Sequence, residues 1–264
     1  MNEIWYGLPN SGHFWHWPTL VHFALVALAG GAAVVTAVAA WTKHPKLRLY
    51  ALVTMIFIVL DLFTLWLESP ARFRFTHVWL FLSFTPTAPI WVGAWGLILS
   101  MGSAFFLWIA KGPRLLWASG ITVGAALAIY YPGWALAANL NRPLWTPLLI
   151  VLFPLTGMTT VVAIAALLRQ PWAARFLTPL SLSSAGVAAA YLIGLALGNA
   201  ETRVAFEAFW HHDAPWLIGA LVLLVATPAL VRRVPLAAAV LPLVGATVVR
   251  SLIVEAGQAQ FFGF

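Results

Sequence analysis

The sequence has no cysteine, and this absence excludes several kinds of chemistry. Disulfides, thiolate catalysis and iron–sulfur clusters held by the chain itself all require cysteine side chains. Charged residues are also scarce. They make up 8% of the 264 residues, whereas soluble domains usually carry about 25%. A soluble fold of this size needs a polar shell, so lipid must surround most of this chain.

The chain also lacks the features of a cleaved leader and of a second domain. Its N-terminal stretch has no basic n-region and no A-x-A cleavage site, so we expect no removable signal peptide. It contains no linker or low-complexity segment, which predicts a single transmembrane domain over residues 1–264. The net charge of +7 is better explained by membrane topology than by nucleic-acid binding, because the basic residues sit in short loops.

Long apolar runs dominate what remains, since 62% of the residues are hydrophobic. A helix that crosses a membrane needs roughly 20 apolar residues. Eight segments meet this requirement: Thr19–Trp41, Leu47–Leu67, Ile90–Ala110, Leu115–Ala138, Pro147–Leu168, Leu177–Leu197, Pro215–Val231 and Pro235–Ala256. They predict an all-α integral membrane protein with eight transmembrane helices, arranged as two four-helix bundles. The seventh is predicted to be short, and the Tyr-Pro-Gly sequence at 131–133 predicts a break in the fourth.

The loops on the two sides differ in charge. One set carries nine basic residues and no acidic one: Lys43, Lys46, Arg48, Lys111, Arg114, Arg169, Arg175, Arg232 and Arg233. The other set carries four basic residues, Arg72, Arg74, Arg142 and Arg203, together with Glu3, Glu68, Glu201, Glu207 and Asp213. Because basic loops tend to stay in the cytoplasm, we predict a bacterial inner-membrane protein with both termini outside. The longest outer loops would be 68–89 and 198–214.

Polar side chains inside the spans need an explanation, because a charge costs about 2.5–3.5 kcal/mol at the membrane centre. At about 1.5 Å per residue, Asp61 lies roughly 12 Å, Arg250 roughly 10 Å and His22 roughly 5 Å below the outer helix ends. Tyr130 and Tyr131 lie in the outer half of the fourth segment. Four segments therefore bring polar groups to the outer half of the membrane, which predicts one polar site opening toward the outer leaflet.

Each of these residues also has an ordinary structural interpretation. His22 is close enough to the interface to bond a backbone carbonyl or to snorkel. Either tyrosine suits an aromatic belt if it faces lipid. Asp61 and Arg250 have opposite charges and can form a structural ion pair. The functional interpretation depends on the convergence of these groups, because none of them establishes a site alone.

Quinone chemistry suits these side-chain types. A quinone has two carbonyl oxygens that accept hydrogen bonds, and a quinol has two hydroxyls that lose protons as electrons leave. Such a site needs neutral donors, such as tyrosine and histidine, and a titratable acceptor whose pKa is set by burial and nearby charge. Spacing alone does not distinguish a quinone from another amphiphile.

Three stretches resemble the NrfD/PsrC family of quinone-interacting membrane subunits: WYGLPNSGHFWHWPTLVHF at 5–23, ESPARFRFTHVWLFLSFTPTAPIWVGAWG at 68–96 and YPGWALAANLNRPLW at 131–145. The closest resemblance is to the polysulfide reductase type. It implies eight helices in two bundles without haem or metal. It also implies an iron–sulfur subunit on the outer face, a molybdopterin catalytic subunit reached through it, and menaquinone bound near that interface.

The resemblance also implies roles for individual residues. The family's head-group histidine falls on His22, its tyrosine before Pro-Gly on Tyr131 and its acidic residue on Asp61. Its polar residue one turn before the histidine falls on Thr19, where close relatives have asparagine. We therefore predict menaquinol oxidation by His22, Tyr131 and Asp61, with Thr19, Tyr130 and Arg250 as further contacts. Tyr131→Phe is expected to weaken quinone binding several-fold, and His22→Ala to do more damage.

Two other classes are weighed against this interpretation. A haem-b anchor needs paired histidines inside facing spans, and only His22 is clearly inside one. A proton-translocating transporter typically has broken helices in matching halves, and the sequence offers a single break. The partner subunit is predicted to dock on Arg72, Arg74, His77 and the apolar run Phe73–Phe84.

Overall fold

The computed structural model describes residues 17–68, 86–139, 142–231 and 233–258. These residues form eight helices, each long and apolar enough to cross a membrane. They are α1 Trp17–Trp41, α2 Leu47–Glu68, α3 Pro89–Ile109, α4 Arg114–Ala137, α5 Leu149–Leu167, α6 Ala173–Ala196, α7 Ala200–Leu230 and α8 Pro235–Gln258. The prediction of an all-α, multi-pass membrane protein is therefore confirmed.

The predicted start of the seventh span is wrong. Helix α7 has 31 residues and includes the stretch 200–214, which was expected to be a loop. The side chain of Asn199 caps it by accepting a hydrogen bond from the backbone N–H of Thr202 at 2.8 Å. Ala205 and Phe209 are buried in its first turns. A helix of this length spans about 46 Å, more than the roughly 30 Å of hydrocarbon, so part of it can be polar.

The predicted break in the fourth span is wrong as well, because α4 continues through Pro132 to Ala137. A proline inside a helix removes one hydrogen bond to the carbonyl four residues earlier, and here the remaining turns stay helical. The adjacent Gly133 serves packing instead. A Cβ atom there would overlap the backbone carbonyl of Leu149, so α4 and α5 touch closely only because this side chain is absent.

Contacts between helices follow the chain order. Helices α1 to α4 each contact the next, and α4 returns to α1; α5 to α8 repeat this pattern, with α8 returning to α5. Helix α1 also contacts α5 and α8, and α4 contacts α5. This pattern supports the predicted pair of four-helix bundles, which stays a prediction. We call the side where α1 begins and α8 ends the terminal face, and the other side the opposite face.

Small residues let α3 and α4 approach each other. A Cβ atom at Gly124 would lie 2.6 Å from the carbonyl oxygen of Gly96. Close backbone approach through small residues is a common way for helices to associate in lipid. One turn nearer the terminal face, a Cβ atom at Gly93 would lie 2.5 Å from Cδ1 of Tyr131. Gly93 therefore provides the space in which the Tyr131 ring packs.

Candidate functional site

His22 is buried in α1 between α2 and α4, and both of its ring nitrogens have partners. Its Nδ1 lies 2.6 Å from Oδ1 of Asp61 on α2. Its Nε2 is hydrogen-bonded to the hydroxyl of Tyr131 on α4. All three side chains are at most 4% exposed. One chain of hydrogen bonds thus joins three helices, and we call these three residues the triad.

Apolar residues surround the triad. Val26, Ile58 and Leu97 form one buried cluster with the Tyr131 ring. Phe23 packs edge-on against His22, with ring centroids 5.6 Å apart. Such a lining keeps water from competing for the polar atoms, so each hydrogen bond inside it is stronger than in water.

Arg250 of α8 is 1% exposed, and its guanidinium lies 5.0 Å from the centroid of the Phe153 ring. None of its three side-chain nitrogens has a hydrogen-bond partner within the described residues. Gly157 of α5 makes room for it, because a Cβ atom there would lie 3.3 Å from Nη1. The guanidinium is close enough to Asp61 and Tyr131 to interact with both electrostatically.

The structural ion pair considered between Asp61 and Arg250 is wrong. Asp61 pairs with His22 instead. Its second oxygen, Oδ2, has no hydrogen-bond partner in the described part of the chain. A buried charge without a partner is strongly unfavourable, so the site holds two groups whose hydrogen-bonding capacity a ligand can satisfy.

Two of the other predicted contact residues stand apart from this group. Tyr130 is 41% exposed and its ring lies beside that of Trp134, which fits the aromatic-belt interpretation. Neighbouring residues on a helix point about 100° apart, so Tyr130 and Tyr131 cannot face the same site. Thr19 is buried one turn before His22 but forms no hydrogen bond with the triad. Their roles as ligands stay predictions without support from the geometry.

Sequence reasoning missed the residues that position the site. Gly93 and Gly157 make room for Tyr131 and Arg250, and Phe153 packs against Arg250. The signal available was the spacing of Gly93, Gly96 and Ser100, which places small residues along one face of α3. Phe153 carries no such signal, because it resembles any apolar residue of a span.

The end of α8 that carries Arg250 is held by the connection between α4 and α5. Arg142 donates a hydrogen bond to the carbonyl of Gln258 at 2.6 Å, and Trp145 donates to the carbonyl of Ile253 at 3.3 Å. Partial burial lowers the pKa of the Arg142 guanidinium. These contacts tie the end of α8 to the connection between α4 and α5.

The described residues contain no group of three or more histidine, cysteine, aspartate or glutamate side chains suited to a metal ion. Haem iron needs an axial imidazole with a free nitrogen. Both nitrogens of His22 are hydrogen-bonded, so ligation there would require the triad to separate. No observation favours the haem alternative over the triad, and the absence of haem and metal stays a prediction.

Among known protein families, one family model matches this chain. The family model described as polysulfide reductase, of the NrfD type, matches residues 2–264. No curated protein matches the chain. The match covers nearly every residue and confirms the family resemblance. The chain belongs to the NrfD polysulfide reductase family.

Proposed function

We propose that this chain is the membrane anchor and quinone-reactive subunit of a respiratory complex. It oxidises menaquinol near the terminal face and passes electrons to an iron–sulfur subunit there, and through it to a molybdopterin subunit that reduces polysulfide. Family membership supports the role of membrane subunit in such a complex. The observation that carries the redox role is the triad with Arg250 beside it: four polar side chains from four helices, buried together in an apolar interior.

The residues fit a quinone head group chemically. The donors of the Arg250 guanidinium have no partner among the described residues, and they suit a carbonyl oxygen. Oδ2 of Asp61 is an acceptor without a partner in the part of the chain that the structure describes, and Tyr131 can donate or accept. When bound, menaquinol supplies two electrons and two protons. The part of this chain is to hold the head group, to exclude water and to accept a proton.

The depth of the site supports electron transfer across the terminal face. His22 lies five residues into α1 and Arg250 eight residues before the end of α8, which corresponds to roughly 8–12 Å from the helix ends. A cluster held by a subunit on that face would be close to the head group. The predicted docking segment with Arg72, Arg74, His77 and Phe73–Phe84 lies outside the described residues.

Docking at that segment has a direct test. Replacing Arg72 and Arg74 together by glutamate is expected to prevent copurification of the iron–sulfur subunit. The matched control replaces both by lysine, which keeps the charge and is expected to retain the subunit. Equal recovery with both variants would place the contact elsewhere.

The orientation also has a direct test, because the chain has no cysteine of its own. Single cysteines at Lys46, in the loop between α1 and α2, and at Glu207, in the first turns of α7, are both at exposed positions. An impermeant thiol reagent applied to intact cells is expected to label position 207 and not position 46. The reverse pattern would place the terminal face in the cytoplasm.

Two buried tyrosines provide a matched pair for testing the quinone site. Tyr131 belongs to the triad, whereas the hydroxyl of Tyr191 donates to the backbone carbonyl of Leu144 at 2.6 Å and lies outside the triad. Tyr131→Phe is expected to remove most menaquinol oxidation by the assembled complex, and Tyr191→Phe to leave it unchanged. Artificial-donor activity of the catalytic subunit reports intact assembly. Wild-type quinol oxidation in both variants would rule out the triad as the site and would leave Arg250 and Glu255 of α8 as the candidate site.

A further inference from the structure

The turns that follow α1 and α5 on the opposite face have the same backbone construction. Lys43 and Arg169 come just after the last helical turn and have a left-handed backbone, with φ of 58° and 56°. The next residues, His44 and Gln170, each donate a backbone hydrogen bond of 2.8 Å to the carbonyl five residues earlier. Glycine is the usual residue at the left-handed position of such a turn. Here two exposed basic residues occupy it instead, and we call Lys43 and Arg169 the basic pair.

One buried side chain of α2 joins the two turns. The side-chain amide of Gln170 donates to the hydroxyl of Tyr50 at 2.6 Å. The ring of His44 lies against the ring of Tyr50, with centroids 5.4 Å apart. Tyr50 and Gln170 are both buried. Each member of the basic pair is therefore the immediate neighbour of a residue that contacts Tyr50, which fixes the two turns relative to each other.

The charge of the basic pair is not neutralised by the turns around it. Helices α1 and α5 contact each other and end on the same face, and the axes of packed helices are about 8–10 Å apart. Two positive charges at neighbouring helix ends repel each other. The four turns on this face, at 41–50, 108–117, 166–176 and 230–236, contain no aspartate or glutamate. A helix C-terminus favours one cation at each end, but an anion from outside the turns is needed to balance the pair.

The basic pair lies at the level of the lipid head groups. Trp41 and Trp172 flank the pair in the sequence, and tryptophan is enriched at the membrane–water interface. Exposed apolar side chains, such as Ile56 of α2 and Phe176 of α6, continue from these turns toward the membrane interior. A molecule bound there meets two cations at one end and apolar surface at the other, which suits an anionic amphiphile.

We propose that Lys43 and Arg169 bind the phosphate of one anionic phospholipid, whose acyl chains lie along α2 and α6. Arginine binds phosphate with two parallel N–H groups and lysine as a point charge. Basic groups between membrane helices are a common way to bind anionic head groups. The lipid links the end of α1 to the end of α5, and so stabilises the contact between the first four helices and the last four. The redox function is not required for this proposal, because the pair lies on the face opposite the triad.

The test measures binding of dioleoylphosphatidylglycerol to the purified full chain in a neutral detergent, by native mass spectrometry. The wild type is expected to bind one such lipid in preference to dioleoylphosphatidylcholine, which has no net charge. Each basic residue near an anionic head group contributes about fivefold in affinity. The variant with both Lys43→Gly and Arg169→Gly should therefore bind the anionic lipid about 30-fold more weakly. Glycine suits a left-handed backbone, so this variant is expected to be at least as stable as the wild type in detergent without lipid.

A matched control removes the same charge from the other two turns of this face. Lys111 and Arg233 are both exposed there, and the variant with Lys111→Gln and Arg233→Gln is expected to keep the wild-type affinity for phosphatidylglycerol. An equal loss in both double variants would mean that the lipid responds only to the total charge of the face, which overturns the pair as a site. Wild-type affinity in the variant without the basic pair would overturn it as well.

Tyr50→Phe tests whether the pair must be held in position. It removes the hydroxyl that accepts from Gln170 but no charge, and it is expected to weaken lipid binding about 2–10-fold, as for one lost hydrogen bond. Unchanged affinity would contradict positioning through Tyr50.

Two further ligands identify what the site recognises. Glycerol phosphate carries a phosphate without acyl chains and is expected not to compete with phosphatidylglycerol. Competition at similar concentrations would make this a site for soluble anions and overturn the lipid. Equal affinity of the wild type for phosphatidylcholine and phosphatidylglycerol would show apolar contact alone, and it would overturn the role of the basic pair.

Discussion

The interior of this protein is polar at two levels, and the two levels are built from different groups. Near the terminal face the triad and Arg250 bring an acid, an imidazole, a phenol and a guanidinium together from four helices. Deeper in the membrane and toward the opposite face most of the buried polar groups are hydroxyls. Thr36 bonds Thr54 at 2.9 Å, and Thr159 bonds Ser184 at 2.8 Å.

Most of the buried hydroxyls deeper in the membrane have hydrogen-bond partners within the protein. Thr54, Thr156 and Thr160 each donate to the carbonyl four residues earlier in their own helix. The groups near the terminal face differ, because Oδ2 of Asp61 and the nitrogens of Arg250 have no hydrogen-bond partner among the described residues. The buried hydroxyls of Ser100 and Ser103 also lack one, but a neutral hydroxyl costs much less than a charge.

This difference in hydrogen bonding distinguishes polar groups with a structural role from polar groups that can bind a ligand. A hydroxyl that donates to a carbonyl of its own helix is already satisfied and needs no ligand. An unpaired guanidinium in a membrane interior costs about 2.5–3.5 kcal/mol on insertion scales. A group with that cost and no hydrogen-bond partner in residues 17–68, 86–139, 142–231 and 233–258 is a strong candidate for binding a ligand, and here it lies beside the triad.

The sharpest test of the contrast is Asp61→Asn against Thr54→Val, two substitutions on α2. Asparagine keeps the shape of Asp61 but removes the charge that fixes the tautomer of His22. We expect kcat for menaquinol oxidation to fall by about 10²-fold or more, as for other positioned proton acceptors. Thr54→Val is expected to leave kcat unchanged. Wild-type turnover in Asp61→Asn would make the carboxylate a packing group like the threonine.

The next largest effect is expected from one methyl group on α3. A Cβ atom at Gly93 would lie 2.5 Å from Cδ1 of Tyr131, whereas no atom of the described residues lies within 4 Å of one at Gly102. Gly→Ala inside a helix is otherwise favourable by about 1 kcal/mol. Gly93→Ala is therefore expected to displace Tyr131 and lower menaquinol oxidation by about tenfold or more, since positioned proton transfer depends on geometry. Gly102→Ala should keep the activity of the wild type, and an equal loss in both would argue against the displacement.

The fold was largely predictable because lipid imposes a simple rule. Eight apolar runs gave eight helices, with ends shifted by a few residues in most cases. The rule failed in α7, whose first half is polar. The side chain of Asn199 caps this helix, and Phe209 is buried against the rest of the protein. It failed again in α4, because Pro132 was taken as a break although the turns on both sides continue. Hydropathy indicates which residues contact lipid. It does not show where a helix is capped or whether a helix continues through a proline.

The sequence predicted which residues form the site but did not determine which of them are hydrogen-bonded to each other. Depth along the helices brought Asp61, His22 and Tyr131 to one level, and the structure joins these three. The partner of Asp61 depends on which way each helix is rotated about its axis, which the sequence does not fix. The same rotation places Tyr130 outward. The space for Arg250 depends on Gly157 from a helix far away in sequence.

Arg250→Met tests whether the guanidinium near the terminal face contributes to stability or to activity. Methionine fills a similar volume without a charge, and it removes the cost of burying a guanidinium that has no hydrogen-bond partner among the described residues. We expect thermal stability of the complex to be unchanged or higher. Loss of a hydrogen bond to a charged group, about 1.5–3 kcal/mol, should lower menaquinol oxidation by about tenfold or more. Arg250→Lys, the control, should keep part of the activity. Lower stability with full activity would make the guanidinium structural.

The smallest effect is expected at the hydroxyl level, where Thr159→Val and Ser184→Ala remove the two ends of one hydrogen bond between α5 and α6. Hydrogen bonds between membrane helices couple by about 0.6 kcal/mol on average in double-mutant cycles. Thr159 also donates to the carbonyl of Leu155 at 3.0 Å, so the threonine hydroxyl stays partly satisfied when the serine is removed. The double variant should therefore differ from the sum of the single ones by about that amount in unfolding free energy, measured by denaturation in detergent. Menaquinol oxidation should match the wild type in all three variants. A loss of turnover here would mean that the hydroxyls carry protons to or from the triad, and the two levels would then be one pathway.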